Sequence, residues 1–278
     1  MKKIAILGID GMLGSAVYKI FNHDKFDVVG INRAILDAQN TNINDIKAVL
    51  ANFDYIINCI GIIKPYIHDD NPAEVERAIK VNALFPHMLS KCGIKVIQIA
   101  TDCVYDGVKG NYIETDKHNP LDVYGKTKSL GEVNSENFMN LRCSIIGPEK
   151  KNKLSLLEWF ISQPKDAVVN GYVNHYWNGV STYAFAKICK GIIEEDLWFY
   201  GLQHIVPVNI LNKSDMLKVF AKVFYRNDIY IKEIYAEESI NRTLSTINEK
   251  KNKEIWESAA YKQIPSIETM IAQMNKAV

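Results

Sequence analysis

The run Lys2-Lys3-Ile4-Ala5-Ile6-Leu7, closed by Gly8-Ile9-Asp10-Gly11-Met12-Leu13-Gly14, decides how the chain is read. A short β-compatible segment stops at a glycine, and glycines recur at 8, 11 and 14. Apolar residues then return at Leu13, Ala16, Val17 and Ile20 with helical spacing. The expectation is a buried strand, a tight turn and a helix from Met12 to Phe21. In that arrangement Gly8 permits the turn and Gly14 allows close helix–strand packing. Gly11 lets the backbone approach a pyrophosphate held at the positive end of the helix dipole, beside Met12 and Leu13. Three spaced glycines alone describe many turns. The strand before them and the helix after them favour a dinucleotide-binding element.

The alternation continues downstream. Phe26 to Ile31 reads as a second buried strand, Ala34 to Asp37 as a short third one, and Ile43 to Leu50 as a helix started by Asn42. Tyr55 to Ile60 is a continuous apolar strand ended by Gly61. Pro72 to Ser90 is helical with a break or kink at Pro86, Lys95 to Ala100 is a strand, Tyr124 to Glu136 a helix, and Met139 to Ile146 a strand closed by Gly147-Pro148. Apolar strands alternating with helices mean a parallel sheet covered on both faces, the doubly wound α/β (Rossmann) class. After Pro148 the pattern loosens into a helix (Leu154 to Ser162), a polar-aromatic loop (Gly171 to Val180) and two further helices. These are Thr182 to Glu195 and Lys213 to Phe224, the latter capped by Asn212 or Ser214. We expect a cofactor-binding domain over 1–148, with 172–200 returning to it, and a smaller α/β substrate-binding domain over most of 149–278.

Composition excludes several function classes. With 278 residues, 47% hydrophobic and 23% charged, the chain has an ordinary globular make-up, and its formal charge of +1 provides no field for nucleic acid. No apolar run reaches the roughly 18–20 residues of a membrane span. The apolar stretch after Met1-Lys2-Lys3 is too short for a secretion signal and is interrupted by Asp10, so a cytoplasmic protein is expected. The five cysteines form no CxxC pair and no metal-type spacing with the six histidines; they read as free thiols, and no metal is expected.

The second strand runs out at Ile31-Asn32-Arg33, where the adenosine ribose is expected. An acidic residue there would hold the 2′-hydroxyl of NAD, whereas an arginine suits the 2′-phosphate of NADP. No carboxylate occupies the spot, so Arg33 favours NADP(H) over NAD(H), with Asp37 a candidate for the adenine. The plain alternative is a surface arginine. Tyr124-Gly-Lys-Thr-Lys128 places a tyrosine and a lysine four apart, on one helix face. An ammonium beside a phenol is expected to draw its pKa down from about 10 toward neutrality, and the same lysine can hold the nicotinamide ribose. Thr101 follows a strand, so its hydroxyl stands at the carboxyl edge of the sheet, where it can donate to a substrate carbonyl oxygen.

The glycine motif, Thr101-Asp-Cys-Val-Tyr-Asp-Gly107, Pro120-Leu-Asp-Val-Tyr-Gly-Lys-Thr-Lys128 and Leu141-Arg-Cys-Ser-Ile-Ile-Gly147 occur in one order. Together they resemble the extended short-chain dehydrogenase/reductases, most closely the dTDP-4-dehydrorhamnose reductase branch. The resemblance implies a homodimeric reductase of a nucleotide-linked 4-keto-6-deoxy sugar, with Thr101, Tyr124 and Lys128 catalytic. It implies that Asn82 supports the active-site helix, that Cys59, Ile60 and Gly61 line the cofactor cleft, and that Asp102, Cys103 and Tyr105 face the substrate. Ala100 departs from the serine usual there, and Asn174-His-Tyr-Trp177-Asn-Gly-Val-Ser181 departs from the family's substrate loop. Cys103, with His175 further on, resembles the acid/base pair of GDP-fucose synthase-like epimerases; the plainer reading makes Cys103 a small pocket-lining residue. Trp177 is a candidate to stack on the nucleotide or sugar, and Arg242 to pair with its diphosphate. Some chains of this branch instead serve as NADP-binding regulatory subunits without turnover.

Overall fold

The computed structural model describes residues 1–21, 25–149 and 153–277. Strand β1 (Lys3–Leu7) leads through the glycine turn into helix α1 (Met12–Phe21), followed by β2 (Asp27–Ile31), α2 (Ile43–Leu50) and β3 (Tyr55–Asn58). Asn42 caps α2, its side chain accepting from the N–H groups of Asn44 and Asp45. Helix α3 (Pro72–Ala78) continues through a wider π-helical stretch, Ile79–Leu84, into α4 (Phe85–Ser90). Then come β4 (Lys95–Ala100), α5 (Val123–Leu130) and β5 (Phe138–Arg142). The remainder comprises β6 (Ile145–Ile146), α6 (Leu156–Ile161), β7 (Val168–Tyr172), β8 (His175–Trp177), β9 (Val180–Ser181), α7 (Thr182–Glu194), β10 (Gly201–His204), β11 (Leu211–Asn212), α8 (Lys213–Val223), β12 (Tyr230–Ile234), β13 (Ile240–Asn241), α9 (Glu249–Ser258) and α10 (Ile267–Ala277).

Six strands form one parallel sheet in the order β10-β5-β4-β3-β1-β2. Every residue of β3 and β5 is buried, as befits strands covered on both faces. One face packs Ala5, Leu7, Ile46, Leu50, Val81, Phe85 and Leu89. The other packs Ile4, Ile6 and Val17 with Phe185, Ile188, Trp256 and Met270, so this core runs unbroken into the C-terminal half. Helix α7 lies on α1, and β10, beyond residue 200, closes the sheet edge. The doubly wound class read from the sequence is the observed one. Among the described residues no helix is long and apolar enough to cross a membrane.

Local expectations needed correction. Ala34 to Asp37 is not a strand, because polar side chains turn the chain there: Asn32 Oδ1 accepts from the N–H groups of Ala34 and Ile35, and Asp37 Oδ1 from that of Gln39. Pro86 does not break its helix; the π-helical turns directly before it accommodate a residue that lacks an N–H and crowds the preceding carbonyls. Helix α5 stops at Leu130, and Gly131 packs so tightly on the Asn82 carbonyl oxygen that a Cβ would overlap it. The region 171–180 is not a loop. It holds the end of β7, which pairs with β12, and all of β8, which pairs with β11 and β13.

Candidate active site

The carboxyl ends of β1, β3, β4 and β5 open into a cleft of ≈ 620 Å³. A second hollow of ≈ 300 Å³ adjoins it, sharing Gly11, Cys59, Ile60 and Gly61. The glycine turn forms the shared wall. Gly8 has φ +79°, a left-handed backbone that disfavours a side chain, and a Cβ at Gly14 would overlap the Gly8 carbonyl. Gly11 differs: a Cβ there would touch nothing closer than Gly8 O at 3.4 Å, an ordinary contact. No protein group therefore demands a glycine at 11, which is what a residue reserved for close approach of a ligand would show. Met12 and Leu13 line the main cleft beside it. These residues fit a dinucleotide, with its pyrophosphate against Gly11–Leu13.

The smaller hollow is lined by Asn32, Arg33 and Asp37. Arg33 is exposed and pairs with Asp37 at 3.3 Å. Burial works against the Asp37 carboxylate, yet the Gln39 N–H, the Asn40 amide and Arg33 together hold its pKa below the ordinary value. Asn82 lines neither hollow. It is 1% exposed, and its amide grips both the N–H and C=O of Ile62 (2.8 and 3.0 Å) and reaches Thr127 Oγ1 at 3.3 Å. It thus ties the loop after β3 to α5, with no surface left for a cofactor.

Thr101, Tyr124 and Lys128 line one wall of the main cleft. Thr101 ends β4 and caps the short turn Asp102–Val104: its Oγ1 accepts from Cys103 N and donates to Asp102 Oδ1, both at 3.2 Å. Asp122 caps α5 by accepting from Gly125 N at 2.8 Å, placing Tyr124 in the first turn. One turn on, Lys128 Nζ donates to Ile99 O at 3.0 Å. The phenol behaves contrary to expectation. Burial pushes the Tyr124 pKa up, Cys103, Asp102 and Asp122 add to the rise, and the Thr101 hydroxyl opposes it. Burial, not a neighbouring ammonium, is the largest influence on it. Burial draws the lysine's own pKa down to about 8, with Glu132 and Cys143 pulling the other way. Burial thus holds Tyr124 as the neutral phenol.

The same cleft is also lined by Asp102, Cys103, His175, Trp177 and Arg242. Burial raises the Asp102 pKa against the influence of Arg242, Thr101 and Lys213. Burial and then Asp102 push Cys103 up to about 12, so it is a thiol. Trp177 is 6% exposed and donates from Nε1 to Ser144 Oγ at 2.8 Å. Arg242 donates from Nε to Tyr105 O at 2.8 Å and from Nη2 to Asp106 O at 3.2 Å, which fixes its guanidinium at the rim. Tyr105 itself lies outside the cleft. It is fully buried, stacked on Tyr112 with centroids 4.1 Å apart, and its hydroxyl donates to Ile113 O and accepts from Arg142. Tyr105 follows the Asp102–Val104 turn, one residue beyond the buried Val104, and is a core residue. Sequence reading missed Glu149, Ser155 and Lys213, which also line the cleft. All three come from the C-terminal part of the chain, where no motif marked them.

A family model described as RmlD substrate binding domain matches residues 1–223. The chain belongs to that family. The match bears out its resemblance to the dTDP-4-dehydrorhamnose reductase branch of the extended short-chain dehydrogenase/reductases. Among relatives of this RmlD-family chain, "Methionine adenosyltransferase 2 subunit beta" from Xenopus laevis is 33% identical over 257 residues, covering 85% of this chain and 76% of that one. A dTDP-4-dehydrorhamnose reductase from Aggregatibacter actinomycetemcomitans is 31% identical over 140 residues, 48% and 46% of the two chains. Among solved structures, dTDP-4-dehydrorhamnose reductase from Bacillus anthracis str. Ames in complex with NADP superposes over 100% of both chains with TM-score 0.82 at 18% identity. MoeE5 in complex with UDP-glucose and NAD superposes over 99% and 98% with TM-score 0.74 at 14% identity. At those identities the structures speak for the fold.

Proposed function

We propose that the chain reduces the 4-keto group of a dTDP- or UDP-linked 4-keto-6-deoxy sugar, with or without a 2-acetamido group, using NADPH, in deoxysugar biosynthesis. One observation carries the reading: Thr101, Tyr124 and Lys128 line the same cleft as the Gly11–Leu13 loop. A hydride donor and a carbonyl acceptor can therefore meet beside a hydroxyl and a phenol. A bound nicotinamide supplies the hydride; the chain's own residues do the rest. Thr101 Oγ exchanges its bond to Asp102 for one to the substrate carbonyl oxygen and stabilises the charge that develops there. Tyr124, held neutral by burial, passes its proton to that oxygen. Lys128 supplies a positive charge on the same face of α5 and a donor for the cofactor ribose. Arg33 and Asn32 in the smaller hollow would receive the adenosine end, with Arg33 leaving Asp37 for the 2′-phosphate. The test is NADPH oxidation against 4-keto-6-deoxy sugars generated in place by nucleotide-sugar 4,6-dehydratases. Turnover with at least one supports the reading; none with any of them sinks it.

A second reading has a specific observation behind it. Relatives named methionine adenosyltransferase 2 subunit beta match most of the chain, so it can be read as an NADP-binding subunit of another enzyme, without turnover. The intact Thr101, Tyr124 and Lys128 stand against this. NADPH binding with no oxidation by any keto sugar would favour it. Cys103 and His175 share the cleft, as an epimerase–reductase requires, but a thiol held at about 12 is a poor base. Solvent deuterium appearing at C3 or C5 of the product would reveal that extra step.

A further inference from the structure

Lys213 is the first residue of α8 and lines the main cleft with Thr101 and Tyr124. The residues before it hold it there: Asn212 caps α8, accepting from Asp215 N at 2.8 Å, and Leu211 and Asn212 pair with Trp177 and Tyr176 of the cleft wall. The charges that act on it are Asp102 and Cys103, the two residues after the catalytic threonine, and Arg242 acts on both of those in turn.

The position is unfavourable for a lysine in three ways. A cation at a helix N-terminus faces the positive end of the dipole. Burial disfavours its charge and draws its pKa down to about 8. Among the described residues it forms no ion pair, and its side chain no hydrogen bond: Asp102 is near enough to be felt but not to pair. A cleft-lining donor left without a partner, in the same cleft as a buried carboxyl group, matches a ligand that brings an acceptor to one and a donor to the other. Asp102 and Cys103, whose charges act on it, are hydrogen-bonded to Thr101, which puts that ligand group on the side of the reacting carbonyl.

We propose that Lys213 is a specificity-determining residue that donates to an oxygen of the substrate's hexose, a hydroxyl or an acetamido carbonyl, while Asp102 of the same cleft accepts from a neighbouring hydroxyl. This rests on the nucleotide-sugar reading above and assigns its hexose subsite.

The experiment is calorimetric binding of dTDP, UDP and their 4-keto-6-deoxyhexose conjugates to wild type, Lys213→Met and Lys213→Arg, with NADPH affinity measured in parallel. Loss of a hydrogen bond from a charged donor corresponds to roughly tenfold to hundredfold weaker binding. That loss is expected in Lys213→Met for the sugar conjugates alone, with NADPH and the free nucleoside diphosphates within about twofold of wild type and partial recovery in Lys213→Arg. Unchanged conjugate binding overturns the proposal, and so does an equal loss for free dTDP or UDP, which would place the lysine on the diphosphate. Should Lys213→Met lose NADPH binding through misfolding, Lys213→Gln decides the matter: with NADPH bound as in wild type, its conjugate affinity must fall at least about tenfold while its dTDP affinity does not. Conjugate binding that needs Lys213 in a protein that never oxidises NADPH sinks the reductase reading but not this one. Normal turnover by Lys213→Met with an unchanged KM does the reverse. A wild type that binds no conjugate overturns both.

Discussion

Gly125 of α5 rests against the carbonyl oxygen of Cys103, so closely that a Cβ would overlap it. This contact sets the distance between the helix that carries Tyr124 and Lys128 and the turn that carries Thr101. Gly125→Ala must push the two apart. The expected result is a stability loss of about 1–3 kcal/mol in chemical denaturation and a fall in kcat of roughly a hundredfold, with NADPH affinity little changed. Full activity in Gly125→Ala would show that the spacing does not matter.

Tyr124→Phe removes the proton donor and leaves the ring in place. For the proposed reduction, kcat is expected to drop by about 10²–10⁴, with NADPH binding retained in a fluorescence titration. Near-normal turnover would remove Tyr124 from the mechanism.

Lys128 couples activity to a stability cost. Its folded pKa is depressed to about 8 from 10.5, so between those values the unfolded chain binds the proton that the folded chain has released. Stability attributable to this group therefore rises with pH from about 8 to about 10.5, and below that window the penalty is fully present. Lys128→Met, which keeps the buried stem, is expected to stabilise the fold by about 1–3 kcal/mol at pH 7 while lowering turnover steeply. A lower Tm in Lys128→Met would mean that its bond to Ile99 O outweighs the burial cost.

Arg33→Ala tests the cofactor preference. Loss of one exposed charged contact to a 2′-phosphate is expected to weaken NADPH about tenfold and to leave NADH within about twofold. The wild-type preference should also shrink with added salt. Equal weakening of both cofactors would contradict the assignment.

Arg142 is fully buried and is held by Glu132, Tyr105, His118 and His204. Removing its carboxylate partner in Glu132→Gln leaves an uncompensated buried charge, with an expected loss of about 3–5 kcal/mol. His204 adds an acid-side signature. Burial and Arg142 draw its pKa down to about 4, against the pull of Glu114, so its contribution is complete above 6.5 and is lost as pH falls toward 4. His204→Gln should flatten the stability profile across that window.

Much of the fold was legible because it is encoded locally. Continuous apolar runs, helical spacing and caps such as Asn42 and Asn212 report on neighbours a few residues away. β10 was missed for the opposite reason. Gly201-Leu-Gln-His204 has no apolar run, and its buried Gln203 Nε2 and His204 Nδ1 and N–H find partners distant in sequence, in Glu114, Thr246 and the Ser245 carbonyl. The short strand expected at 34–37 failed because Asn32 and Asp37 turn the backbone with their own side chains.

By itself the sequence determined the parallel α/β sheet, the glycine turn at its first strand, and the placing of Thr101, Tyr124 and Lys128 near strand and helix ends. Those features depend on spacing along the chain. Tertiary structure alone decided that Tyr105 is core while Cys103, two residues earlier, lines the cleft. It also decided that burial holds Tyr124 as a neutral phenol, and that Lys213 enters the site from beyond Pro148. Burial and charge act through space, and no local pattern records which distant side chains will share a cleft.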